Sequence, residues 1–200
     1  MPSLATTLIS GMLAALPVHG ETMNKTELLT IGGGCFWCLE AVYEDVPGVL
    51  DVTSGYAGGQ LADPTYQRVV TGRTGHAEVV QIAYDPQRID IDKLLEIFWV
   101  IHDPTTSNRQ GNDVGTQYRS IILYRTPEQE QAVRASIARE QAAGTHRGEF
   151  TTELIPLERF WPAEDDHQDY FRNNPDKPYC AFVVAPKVMK YREHFGQTDG

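Results

Sequence analysis

The spacing of apolar and polar positions changes several times along the chain, and each change marks an element. "TELLTIGGG" (26–34) is a short apolar run closed by three glycines, which predicts a buried strand. In "FWCLEAVYEDV" (36–46), Phe36, Leu39, Val42 and Tyr43 recur at helical spacing and share a face. "PGVLDVTSGYAGG" (47–59) reads as a strand with turn residues at both ends. "HAEVVQIAYDP" (76–86) alternates with period two: Ala77, Val79, Gln81 and Ala83 on one face, Glu78, Val80, Ile82 and Tyr84 on the other, as in a strand. "IDIDKLLEIFWVIHD" (89–103) is an amphipathic helix whose acidic start suits the helix dipole. "YRSIILYR" (118–125) and "EFTTELIPL" (149–157) read as strands. Between them "TPEQEQAVRASIAREQAAG" (126–144) is a helix with Thr126 as N-cap, Pro127 at the first position and Gly144 as terminator. "AEDDHQDYFRNN" (163–174) starts a short helix.

The resulting order is β-α-β-β-α-β followed by α-β. It predicts an α+β fold, a ferredoxin-like split βαβ two-layer sandwich with extensions, its helices packed on one face of the sheet. With no internal repeat or low-complexity linker, the simplest parse is an N-terminal extension over 1–25, one catalytic-sized domain over 26–185, and a polar, frayed tail over 186–200.

Composition narrows the class. At 200 residues, with 41% hydrophobic and 22% charged residues, the chain has the makings of an ordinary globular core. A net charge of −10 argues against nucleic acid and against anionic membrane surfaces as partners. The apolar stretch "LATTLISGMLAALP" is fourteen residues long, too short and too polar to span a bilayer, and no Lys or Arg precedes Lys25. It is expected to be a loosely ordered extension of a cytoplasmic protein; the alternative is an export signal cleaved after Gly20. Three cysteines are too few, and odd in number, for a disulfide scaffold.

Two of those cysteines stand in "GGGCFWCLE" (32–40). The glycines fit neither a Walker loop nor a dinucleotide fingerprint, because cysteine and bulky aromatics follow them. Cys35 and Cys38 make half of a zinc site, but Cys180 stands alone and the histidines show no H-x₃₋₅-H pair. Redox chemistry remains. Cys35 falls where a strand gives way to a helix, and unpaired N–H groups at a helix start favour a thiolate. Cys38 is one helical turn on. Thioredoxin-like disulfide exchange is one reading of such a pair. Phe36 and Trp37 between the thiols suit an apolar substrate group better, in a reductase or in a non-catalytic module that binds such a group. Elsewhere Tyr66 ("PTY"), Glu78 ("TGHAE"), and Asp113 and Tyr118 ("QGNDVGTQYRS") sit at loop–strand junctions. Each alone is most simply a packing, solvent-facing or turn residue. Together they have the composition of a site, which spacing cannot assemble in space.

Taken in order, "GCFWC", "GYAGG", "PTY", "TGHAE", "HDPT", "QGNDVGTQYRS" and "HQDYF…NPDKPYC" resemble the peptide methionine sulfoxide reductase A family, from about Ile31 to Cys180. The resemblance implies that Cys35 is the nucleophile and that Phe36 and Trp37 shelter the sulfoxide's methyl group. It makes Glu78 the acid that protonates the sulfoxide oxygen, Tyr66 and Tyr118 the hydroxyls that bond it, and Asp113 a supporting carboxylate. Cys180 is then the resolving cysteine. Cys38 stands where many members carry glycine and some a second cysteine, and is expected to be a secondary partner or a packing residue. Cys180 itself lies in a stretch rich in Pro and Asn that reads as a mobile loop. The family's further cysteine downstream of the resolving one is absent here. The resemblance also implies methionine S-sulfoxide as substrate, a thioredoxin-type reductant, a monomer, and no metal, flavin or nicotinamide cofactor.

Overall fold

The structure, a computed structural model, describes residues 26–196; the N-terminal extension over 1–25, with its export alternative, lies outside them. The chain runs through β1 (Glu27–Gly32), α1 (Phe36–Tyr43), β2 (Val49–Ala57), the short α2 (Tyr66–Val69), β3 (Ala77–Tyr84) and α3 (Ile91–Ile101). It continues through a small hairpin, β4 (Arg109–Gln110) and β5 (Asp113–Val114), into β6 (Ile121–Tyr124), α4 (Pro127–Ala143), β7 (Glu153–Pro156), β8 (Phe160–Pro162), α5 (Tyr170–Asn173) and α6 (Ala185–Phe195).

Among the described residues the main sheet has the order β7-β6-β1-β3-β2-β8. β3 lies between β1 and β2 and is antiparallel to both, and β6 pairs antiparallel with the far edge of β1. β7 runs parallel to β6, joined by the crossover helix α4, so the sheet is mixed and wider than the sandwich expected. The period-two reading of β3 holds. Val80, Ile82 and Tyr84 enter the large core under the helices, with Leu29, Ile31, Leu39, Val42 and Phe98. Val79 enters a smaller cluster with Ala57, Ala77, Ile121 and Leu123 on the opposite face. Each such large apolar side chain taken fully out of water contributes roughly 1.5–3 kcal/mol.

Helix ends follow local chemistry. Asp90 caps α3 through the Lys93 amide at 2.8 Å, Thr126 caps α4, and Gly144 closes α4 with φ of 66°. α1 departs from the amphipathic reading: it is buried on almost every side, Cys38 and Glu40 included, because β2, β3, α5 and α6 surround it.

Two sequence readings are corrected. Residues 185–195 are not a frayed tail but the helix α6, with Pro186 in its first turn and Val188 and Tyr191 buried three residues apart. Residues 116–118 form a 3₁₀ turn rather than the start of a strand, and β6 begins at Ile121. α2, β8 and the β4–β5 hairpin are too short to set up a period.

Candidate active site

The site starts at the turn from β1 into α1. Gly32 must be glycine because a Cβ there would lie 2.5 Å from the Glu78 carbonyl oxygen, so β1 can run tightly against β3 beside that residue. Gly34 has φ of +99°, a conformation open to glycine, and its turn delivers Cys35 as the N-cap of α1. Cys35 makes no side-chain capping bond. The first free amide of α1, Phe36 N–H, donates instead to Glu78 Oε2 at 3.1 Å. Strand β3 thus puts a carboxyl group at the helix start, beside the cysteine.

Glu78 is on the helix-facing side of β3 and buried. Burial pushes its carboxyl up to about 8; the Phe36 amide pulls the other way, and the nearby Asp113 charge pushes it further up. Near neutral pH it holds its proton. The Cys35 thiol is held well above the ordinary thiol range, first by burial, then by its hydrogen bond with Cys38 and the charge of Glu78. This reverses the expectation of a resting thiolate: the helix start is present, but it is a dry one. Cys38 is drawn down by the hydrogen bond from Cys35, helped by the Lys187 ammonium.

The structure brings the other sequence-derived candidates to this point. Tyr66 opens α2, with its amide held by Glu164 Oε1 at 2.8 Å, while Tyr56 donates to the other carboxylate oxygen at 2.9 Å. The Tyr66 phenol is pushed up to about 12 by burial and by the charges of Glu78 and Cys35. Tyr118, at the end of its 3₁₀ turn, is raised by the same three causes. Asp113, on β5, accepts the Tyr179 hydroxyl at Oδ2, 2.8 Å away. Phe36 is buried between Tyr56 and His167, with ring centroids at 5.9 and 5.5 Å. Trp37 is half-buried and stacks on Tyr170 at 3.6 Å, the two rings 6° from parallel.

Cys180 is placed differently from the mobile loop expected. It is buried, and it opens a π-helical turn, Cys180–Val184, that continues into α6. The helix persists because Val184, Val188 and Tyr191 carry an apolar stripe into the core, which outweighs the breaking tendency of the preceding Pro and Asn residues. Phe182, two residues on, is exposed, so this turn lies at the surface.

Sequence reasoning missed Tyr179, which hydrogen-bonds Cys35 as well as Asp113, and also Tyr56, Glu164, His167 and Tyr170. Tyr179, His167 and Tyr170 stand inside the motifs quoted above, but Glu164 and Tyr66 are 98 residues apart, and no local pattern joins them. Among the described residues no group of three or more His, Cys, Asp or Glu is placed to hold a metal ion, and no helix is long and apolar enough to cross a membrane.

A cysteine at a helix start, a buried carboxylic acid against it, phenols beside both and a second thiol one turn on define a thiol oxidoreductase on an α+β fold. The family described as Peptide methionine sulfoxide reductase matches residues 27–199. The Peptide methionine sulfoxide reductase MsrA of Halobacterium salinarum is 53% identical over 171 residues, 86% of this chain and 97% of that protein. That of Nautilia profundicola is 58% identical over 160 residues, covering 80% and 91%. Among solved structures, Methionine sulfoxide reductase A of Corynebacterium diphtheriae is similar at 40% identity and a TM-score of 0.68, covering 78% of this chain and 77% of that one. Mxr1 from Saccharomyces cerevisiae in reduced form has 36% identity and a TM-score of 0.72, covering 78% and 90%. Mxr1 has also been solved in complex with Trx2, and that form has 25% identity and a TM-score of 0.52, covering 72% and 84%. The chain belongs to the peptide methionine sulfoxide reductase family, and its activity is that of a peptide-methionine (S)-S-oxide reductase.

Proposed function

We propose that Cys35 and Glu78 carry the reduction of methionine S-sulfoxide, free or in proteins, in this chain. The observation that carries the reading is the buried Glu78 carboxyl, raised to about 8 and set against the start of α1 where Cys35 lies. Sulfoxide reduction needs a proton delivered to the leaving oxygen, and Glu78 holds one at the right place. The sulfoxide oxygen receives hydrogen bonds from Tyr66 and Tyr118 and a proton from Glu78, which makes the sulfur electrophilic. Cys35 Sγ attacks that sulfur, and the thiol proton returns to the Glu78 carboxylate. The protonated oxygen then moves as hydroxyl from the methionine sulfur to Sγ: the sulfur–oxygen bond and the transient bond between the two sulfurs break, an oxygen–Sγ bond forms, and the thioether leaves. The balance is one thiol and one sulfoxide giving one sulfenic acid and one thioether, with Glu78 restored. Phe36 and Trp37 receive the methyl group, and Asp113 supports the pair through Tyr179.

A second thiol then condenses with the sulfenic acid, releasing water and leaving a disulfide. Cys38 already hydrogen-bonds Cys35; Cys180 reaches it when the turn at Cys180–Val184 unwinds. The Mxr1 complex with Trx2 supports a thioredoxin-type dithiol as the external reductant. The test is dithiothreitol-driven reduction of the two sulfoxide epimers of a blocked methionine, followed by chromatography. Only the S-epimer is consumed on this reading; equal consumption of the R-epimer overturns it.

A further inference from the structure

Glu40 is a buried carboxyl that the sulfoxide chemistry does not use. It lies on α1 one turn beyond Phe36 and is only 1% exposed. Its Oε1 accepts the Ser54 hydroxyl at 3.0 Å, and its Oε2 accepts the backbone amide of Tyr170 at 3.2 Å, from 130 residues further along the chain. Tyr170 is the first residue of α5. Asp169 before it has φ of 51°, a left-handed conformation that a non-glycine residue holds only when its surroundings fix it. A second tie runs parallel to the first: Arg172 of α5 bridges Glu44, the residue that caps the end of α1, at 3.1 Å and Asp169 at 2.6 Å. The ring so placed is the one stacked on Trp37 at 3.6 Å.

Two donors from different elements converge on the two carboxyl oxygens. An amide in the same place keeps one oxygen acceptor and presents N–H₂ at the other position, which the Ser54 hydroxyl can accept but the Tyr170 amide cannot. Burial pushes the Glu40 carboxyl up to about 7, so the fold keeps an acid here that it would be easier to do without.

We propose that Glu40 is a positioning residue for the sulfoxide site: by holding the Tyr170 amide it fixes the Tyr170 ring against Trp37 and so sets the apolar wall that receives the methionine side chain. This rests on the reading above that Trp37 lines the substrate pocket. The link has the order Glu40, Tyr170 amide, Tyr170 ring, Trp37 ring, and nothing in it touches the reacting sulfur. Its loss therefore weakens substrate binding more than the chemical step.

The experiment compares Glu40→Ala, Glu40→Gln, Tyr170→Leu and the Glu40→Ala/Tyr170→Leu double variant. It reads KM and kcat for the S-sulfoxide and the Trp37 emission, taken as the difference from Trp37→Phe. Glu40→Ala raises KM by about tenfold with kcat within about threefold, and Glu40→Gln recovers part of the loss. Both Glu40→Ala and Tyr170→Leu shift the Trp37 emission, and the double variant is no worse than the worse single one. An unchanged KM and emission in Glu40→Ala, with only a lower Tm, overturns the proposal, as do additive effects in the double variant. Should Glu40→Ala not fold, Glu40→Gln and Tyr170→Leu with their own double variant carry the same comparison. Wild-type enzyme that leaves sulfoxide untouched defeats the functional reading instead, and the emission arm still decides the link from Glu40 to Trp37.

Discussion

At Cys35 and Glu78 two protons are held where water would not leave them. Burial raises both groups; the charge of Glu78 raises Cys35 further and that of Asp113 raises Glu78 further, so the resting pair is a thiol beside a carboxylic acid. That pairing suits a reaction that delivers a proton to oxygen and a sulfur nucleophile to sulfur at once. The first step is therefore expected to be flat at mildly acidic pH and to fall as pH rises through about 8, where Glu78 loses its proton. Stopped-flow single turnovers measure this, and a rate that climbs through the same range contradicts it. Glu78→Gln is expected to slow the step by a factor on the order of 10²–10⁴ and to remove the alkaline fall, with Glu78→Ala slower still because the amide keeps a hydrogen-bond donor. The same shift has a stability sign. A carboxyl whose folded pKa is raised contributes stability in full below its unfolded value and loses it as pH rises through the folded one. Glu78→Gln should accordingly melt above wild type at pH 9 and close to it at pH 5, in paired thermal scans. Cys35→Ser abolishes turnover, since a serine hydroxyl is a poor nucleophile towards sulfur and forms no sulfenic acid.

At the scale of elements, the turn from β1 to α1 decides where Cys35 stands. A Cβ on Gly34 would meet the Gln110 side chain at 2.8 Å, and the backbone there is left-handed. Gly34→Ala is expected to cost about 1–3 kcal/mol and to slow the first step, since the strain displaces the cap residue that carries the thiol. A lower Tm with an unchanged single-turnover rate would show that the turn serves stability alone. The turn at Cys180–Val184 is the second decisive element. Cys180→Ser should keep one fast turnover and lose most multiple turnover with thioredoxin, while a variant that cycles normally assigns resolution to Cys38. These elements differ in how openly the sequence announces them. β3 and α4 show a clean period or a complete set of caps. α6 hides its stripe of Val188 and Tyr191 among charged residues, and the Pro and Asn residues before Cys180 suggest a loop that tertiary packing overrides.

Across the whole molecule, strand and helix order was legible because the alternation follows burial, and the C-x-x-C at a strand–helix junction was legible because it is local. The meeting of Tyr66, Glu78, Asp113 and Tyr118 was not. They come from α2, β3, β5 and a 3₁₀ turn, and only the folded sheet and the resemblance to a family join them. The wider sheet escaped for the same reason: β8 is three residues long and gains its place by pairing with β2, far away in sequence. The proposed chemistry turns on the passage of the sulfoxide's oxygen to Cys35 with Glu78 supplying the proton. The most direct measurement uses a Cys38→Ser/Cys180→Ser variant, which has no second thiol, mixed with excess S-sulfoxide and a sulfenic-acid trap, then mapped by peptide mass spectrometry. One methionine is expected to be released per chain, with the trap bound to Cys35 and both events slowed together by Glu78→Gln. Methionine released without trap on Cys35, or formed at an undiminished rate in the Glu78→Gln background, would contradict it.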